Sequence, residues 1–215
     1  ITSAVDSNSN LGRVSYDAAG RILNLTDTVG QSVYYSYAPN QLIRTNMAGK
    51  SQVVTYDQNG QITSYTDENG NKTTFLYDGR GNLVAVTGPD LKVTSYKYDS
   101  RDNLIEKRDP AGNVTLYSYD AANNLTEIKD PVGNIITYRY NDKNNRIQES
   151  YTTVLPDGKT TSYTFEYTYD NRGNLTKVKN AKGETTYVYD ILGNVVKQID
   201  SLGNETGFSY DNLAG

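Results

Sequence analysis

The chain of 215 residues contains no cysteine, no histidine, no tryptophan and a single methionine. Without cysteine there is no disulfide and no thiolate nucleophile or ligand, although this assigns no compartment. Without histidine the commonest metal ligand and the side chain that titrates near neutrality are missing, and a Ser/His/Asp triad is excluded. No apolar run approaches the roughly 18 residues of a membrane span, and the polar stretch after Ile1 does not read as a signal peptide. Net charge is −4, with no block of lysine or arginine, so nucleic acid is not an expected partner. Only 36% of residues are hydrophobic and mean hydropathy is −0.68, too little for a thick globular core.

What is abundant is tyrosine: 20 Tyr against 3 Phe. Its ring packs while its hydroxyl stays wet, which suits a thin two-sided sheet. The dipeptide Tyr-Asp recurs at Tyr16, Tyr56, Tyr77, Tyr98, Tyr119, Tyr169, Tyr189 and Tyr210, with degenerate copies at Tyr37 and Tyr140. Successive tyrosines are 21, 19, 21, 21, 21, 21, 29, 20 and 21 residues apart. A fixed period near 20 marks a repeat architecture, in which each unit leans on its neighbours. We read residues 1–215 as a single array of about nine repeats, a segment of a larger protein.

The unit from Tyr98 to Tyr119 is the cleanest. Its first turn, Asp99-Ser100-Arg101-Asp102, has equivalents ending in Gly20, Gly60, Gly81, Asn123, Asn144, Gly173 and Gly193, residues that tolerate positive φ. Its second turn, Asp109-Pro110-Ala111-Gly112, returns as Asp130-Pro131-Val132-Gly133. Aspartate first, proline second and glycine last describe a type I turn followed by a left-handed residue, a common hairpin loop. Between turns, Thr115, Tyr117 and Tyr119 alternate with Val114, Leu116 and Ser118, and period-two alternation is strand chemistry. An aliphatic residue stands six after most of the tyrosines (Ile22, Ile43, Ile62, Leu83, Leu104, Leu125, Leu175, Val195), often with another three later, as at Ile128 and Val178. That odd offset means either opposite faces or a bulge. The expected fold is all-β, an antiparallel β-hairpin repeat array forming a long curved or spiral sheet.

Two places break the period. The repeat from Tyr37 is short and lacks its aspartate, and the repeat from Tyr140 carries a lengthened hairpin near residues 147–166 around Pro156-Asp157-Gly158. Gly88-Pro89-Asp90 reads as a re-spelled turn.

Most aspartates occupy the first position of turns, where the side chain binds backbone N–H groups, so they read as structural and not catalytic. Asp67-Glu68-Asn69-Gly70-Asn71 is rich in oxygen but lacks the spacing and closing glutamate of a calcium loop. Arg80, Arg101 and Arg172 read as solvated turn residues, and six Asn-x-Thr sequons as by-products of repetition. No catalytic, metal or cofactor residue is assigned. The candidate site is the tyrosine stripe: Tyr77, Tyr96, Tyr98, Tyr117, Tyr119, Tyr138, Tyr140, Tyr187 and Tyr189. It reads as a structural ladder of aromatic side chains or as a platform on which sugar rings stack. Asp109, Pro110, Gly112, Asp130, Pro131 and Gly133 are the candidate turn residues.

The run Tyr77-Asp78-Gly79-Arg80-Gly81-Asn82-Leu83, with Asp109-Pro110-Ala111-Gly112-Asn113 and the Thr-x-aromatic-x-Tyr-Asp strand, resembles the RHS/YD-repeat family. The resemblance covers residues 11–215. It implies hairpins wound into a hollow shell that encloses or displays another segment, as in exported bacterial toxins, cell-surface proteins and teneurins. It implies a secreted or surface location and no catalysis in the repeats. Its partners would be neighbouring repeats and an enclosed or C-terminal effector. Edge-to-edge self-association is expected at uncapped strands, and the alternative role is a carbohydrate- or wall-binding adhesive module.

Overall fold

The computed structural model describes residues 2–5 and 11–210. Asp211 of the last Tyr-Asp pair lies outside them. Every regular element among the described residues is a β-strand. They fall into two compact units, residues 1–96 and 97–215. The first holds β1 (Thr2–Val5), β2 (Leu11–Tyr16), β3 (Ile22–Thr26), β4 (Ser32–Ala38), β5 (Gln41–Thr45), β6 (Ser51–Tyr56), β7 (Ile62–Thr66), β8 (Lys72–Tyr77), β9 (Leu83–Thr87) and most of β10 (Val93–Tyr98). The second holds β11 (Leu104–Arg108), β12 (Val114–Tyr119), β13 (Leu125–Lys129), β14 (Ile135–Tyr140), β15 (Arg146–Val154), β16 (Thr160–Tyr169), β17 (Leu175–Asn180), β18 (Gly183–Tyr189), β19 (Val195–Ile199) and β20 (Glu205–Gly207). Within each unit every strand pairs antiparallel with the next in sequence, the plainest outcome for strands joined by two- or five-residue loops.

The turns follow from the aspartate. In Asp130–Asn134 one carboxylate oxygen accepts the N–H groups of Val132 and Asn134 at 3.0 and 2.8 Å, and the other accepts Asn134 Nδ2 at 2.6 Å. Gly133 N–H bonds the Asp130 carbonyl at 3.1 Å, and Gly133 stands at φ 94°. Asp109 and Asp120 repeat this on opposite rims of the sheet, with Gly112 (φ 88°) and Asn123 (φ 66°) in the left-handed position. The amide of Asn113 or Asn124, followed by backbone N–H groups, holds these carboxyls below the usual range. The sequons are thereby explained. In five of the six (Asn71, Asn113, Asn124, Asn174, Asn204) the asparagine closes its turn by donating to the aspartate. Gly88-Pro89-Asp90 is a turn of the same shape, but Leu91 takes its left-handed position at φ 62°.

The odd offset of the aliphatic residues resolves as a bulge. Seven of the tyrosine-ended strands pair with the following strand through a register shift at the tyrosine. On β13, Tyr117 faces Ile128 and Tyr119 faces Leu125, leaving Thr126 as the extra residue. The bulge brings residues three apart onto the tyrosine face. The short repeat is the exception. Ala38 faces Gln41 across a two-residue loop, the register never shifts, and Ile43 faces Ser36. Ile43 therefore does not occupy the place of Leu125, as its spacing suggested, because removing two residues removes the bulge.

No hydrophobic side chain is buried among the described residues; Ser64 and Glu149 are the only buried polar ones. Along β12, Thr115, Tyr117 and Tyr119 are half-buried, whereas Leu116 and Ser118 on the other face are exposed. The tyrosine face is the better covered side of a sheet without an interior.

Candidate functional site: the tyrosine face

A bulge leaves a backbone carbonyl behind. Between β13 and β14 the ladder runs from Lys129–Ile135 to Glu127–Thr137, so Leu125 lies two residues past its end. The Tyr140 hydroxyl donates to the Leu125 carbonyl at 2.9 Å. The same clamp joins Tyr37 to Ile22 (2.9 Å), Tyr77 to Ile62 (3.0 Å), Tyr169 to Arg146 (2.9 Å), Tyr189 to Leu175 (2.7 Å) and Tyr210 to Val195 (2.9 Å). In each case the carbonyl lies two residues beyond the last ladder pair. A buried or half-buried carbonyl left unpaired is costly, and the tyrosine removes that cost. Tyr77, Tyr140, Tyr169 and Tyr189 thus each serve two neighbours: the backbone pairs across one bulge while the hydroxyl caps the bulge before it. In the bulge-free repeat the ladder continues, and Tyr56 N–H bonds the Asn40 carbonyl at 2.8 Å.

The rims are stitched as well. Arg101 donates to the Asp120 carbonyl at 2.8 Å and Arg172 to the Ile191 carbonyl at 3.0 Å, each reaching the next Tyr-Asp turn. These two arginines are not merely solvated, as their place in turns suggested: their length spans one repeat.

The lengthened hairpin departs from its neighbours on the same face. Where β13 offers Leu125 and Ile128, β15 offers Arg146 opposite Tyr140 and Glu149 opposite Tyr138. Glu149 is 7% exposed. Its carboxylate accepts the hydroxyls of Tyr151 and Tyr167 and lies 3.3 Å from the Arg146 guanidinium. That guanidinium sits 5.4 Å from the ring centre of Tyr138 and 5.3 Å from that of Tyr167. The hydrogen bond to Glu149, with burial next, pushes the Tyr151 phenol up to about 12. Burial raises Tyr138 and Tyr167 in the same direction. Both carboxylate oxygens of Glu149 are thereby engaged, and the cluster ties β15 to its neighbours.

The RHS Repeat family matches residues 56–93, 98–135, 119–154, 152–185 and 169–205, well over half of the sequence. The chain belongs to the RHS repeat family. No curated protein matches it. Among solved structures, that of TcdB2-TccC3-Cdc42 is similar over 94% of this chain and 15% of its own, at 14% identity and TM-score 0.53. That of TcdB2-TccC3 is similar over 91% and 13%, at 15% identity and TM-score 0.53. The Photorhabdus luminescens Tc holotoxin pore matches over 99% and 18%, at 13% identity, but its TM-score of 0.33 is too low to inform the fold. The first two likenesses show the fold alone, and this RHS chain spans at most 18% of the length of each of the three.

In these RHS repeats the predicted tyrosines divide into two kinds. Tyr77, Tyr140 and Tyr189 are clamps, and Tyr119 stands opposite Leu125 at a bulge. Tyr117, Tyr138 and Tyr187 stand one place inward, opposite Ile128, Glu149 and Gln198, and Tyr96 and Tyr98 are half-buried on β10. At the long hairpin ring meets ring: Tyr151 stacks on Tyr163 at 4.7 Å and Phe165 meets both edge-on. Elsewhere a strand bearing aliphatic or polar side chains separates one stripe from the next. Asp109, Pro110, Gly112, Asp130, Pro131 and Gly133 lie in the turns assigned to them. Sequence reading missed Arg146 and Glu149. The signal was a gap: Arg146 fills the place where the other bulged strands carry an aliphatic residue.

Proposed function

We propose that the chain is one uninterrupted repeat array, a non-catalytic stretch of the wall of a larger RHS shell. The shell belongs to an exported bacterial toxin or cell-surface protein and encloses or displays another segment of it. The observation that carries this reading is where the polar groups go. Tyrosine hydroxyls cap bulges, aspartates close turns and arginines bridge rims, so the chemistry-bearing side chains are engaged in holding one hairpin to the next. The fold shared with TcdB2-TccC3, and the small share of that protein covered, support a segment of something longer.

The test is limited proteolysis of the full-length protein. Segments outside the array are expected to resist cleavage until denaturant unfolds the array, and then to be cut together with it. Cleavage of those segments at the same rate with the array folded would refute enclosure. Saturable binding on a glycan array, abolished by Tyr117→Ala or Tyr138→Ala, would favour the wall-binding reading instead.

A further inference from the structure

The lengthened hairpin leaves a strand edge without a neighbour. β16 runs for ten residues, paired with β15 from Glu166–Gln148 out to Thr160–Val154. On its other side β17 covers only part of it: the ladder runs from Tyr169–Leu175 to Glu166–Lys179, and β17 ends at Asn180. Thr160–Thr164 therefore present one row of backbone N–H and C=O groups that no strand among the described residues pairs, about 17 Å of open edge.

Beyond Asn180, where β17 would have continued, two cavities open beside this edge. One, about 400 Å³, is lined by Tyr163, Phe165, Asn180, Ala181 and Lys182. The other, about 410 Å³, is bounded by Ser162, Thr164, Glu166 and Lys179 and shares Tyr163, Asn180 and Ala181. The first is floored by aromatic rings and the second by hydroxyls and charges. A strand sends successive side chains to opposite faces, so the two cavities match the two sides of an absent strand.

Charge selects the occupant. Lys179 is paired with Glu166 at 3.6 Å, whereas Lys182, at the mouth of the aromatic cavity, makes no ion pair among the described residues. An acidic strand laid along this edge would bring a carboxylate to Lys182.

We propose that this edge binds an extended acidic peptide by strand addition. The peptide continues the ladder along Thr160–Thr164, seats an aromatic or large aliphatic side chain against Tyr163 and Phe165, and places a carboxylate beside Lys182. This assignment is independent of the shell reading, since it needs only the hairpin and β17.

The test uses the whole chain and a labelled peptide of sequence Glu-Thr-Phe-Thr-Phe-Thr-Glu, with a lysine-flanked counterpart. The acidic peptide is expected to bind at least tenfold more tightly, shifting the backbone amide resonances of Thr160–Thr164. Lys182→Glu should reverse that preference and Tyr163→Ala should weaken binding at least tenfold, with the urea midpoint of Lys182→Glu unchanged. N-methylating the peptide at one set of alternate residues should abolish binding, and at the other set should not. The proposal is overturned by equal binding of the two peptides, by no binding at millimolar concentration or by amide shifts elsewhere. It is also overturned by concentration-dependent dimerisation through these amides without peptide.

Discussion

Replacing Tyr140 by phenylalanine removes one oxygen, keeps the ring and leaves the Leu125 carbonyl without its donor. The bond lost is 2.9 Å long and lies on the covered face of the sheet. A neutral hydrogen bond of this kind contributes about 0.5–1.5 kcal/mol net. For a chain of this size 1 kcal/mol corresponds to a fall in Tm of roughly 2–4 °C. Tyr138→Phe is the control, because that hydroxyl donates to no backbone carbonyl among the described residues while its ring is equally covered. The clamps lie far apart and should add. Removing all six would cost on the order of 3–9 kcal/mol, comparable to the whole stability of an ordinary domain, about 5–15 kcal/mol. Urea unfolding followed by circular dichroism measures this, with the single variants expected to shift the midpoint at constant slope. If Tyr140→Phe and Tyr138→Phe prove equally stable, the clamp is ornamental and the account of the repeat fails.

Leu91 stands at φ 62°, a conformation that costs a non-glycine residue roughly 1–2 kcal/mol, and Gly88 replaces the turn aspartate. Gly88→Asp with Leu91→Gly should therefore raise the thermal midpoint, read by calorimetry. Glu149→Ala leaves Arg146 and two tyrosine hydroxyls without their acceptor and should cost about 1–3 kcal/mol. Arg146→Leu with Glu149→Ile restores the pair found on β13 and should come within about 1 kcal/mol of the parent, because buried ion pairs are often replaceable by packing; a thermal scan of both variants decides. Stability should fall at both ends of the pH scale. The Tyr151 phenol is raised from 10.0 to about 12, so its contribution is whole below about pH 10 and is lost as pH rises through about 12. Turn aspartates such as Asp109 and Asp120 are lowered from 3.8, so their contribution is present above that value and is lost as pH falls through the lower folded values. A flat stability profile beyond pH 10 in denaturant titrations would contradict the first, and equal acid resistance of Asp120→Asn the second.

Much of this was written in the residues themselves. Tyr-Asp spacing gave the hairpin period, and Asp109-Pro110-Ala111-Gly112 gave the turn type, because both depend on neighbours in sequence. The bulge was visible only as an ambiguity: Leu125 and Ile128 are three apart, and nothing local says which face each takes until Tyr117 and Tyr119 are set opposite them. The tyrosine clamp was illegible for the same reason, since Tyr140 and Leu125 are 15 residues apart and meet only after the register slips. Arg101 and Arg172 looked solvated because their partners are carbonyls 19 residues away. Glu149 looked like any other surface acid, and its burial follows from Arg146, Tyr151 and Tyr167 gathering around its carboxylate.

A sheet with no buried hydrophobic side chain among its described residues has no interior to refit when its size changes. Duplication or deletion of one twenty-residue block carries its own joint, since the incoming tyrosine closes the gap left by the block before it. Such an array can lengthen or shorten by whole repeats over evolutionary time while every remaining joint stays as it was.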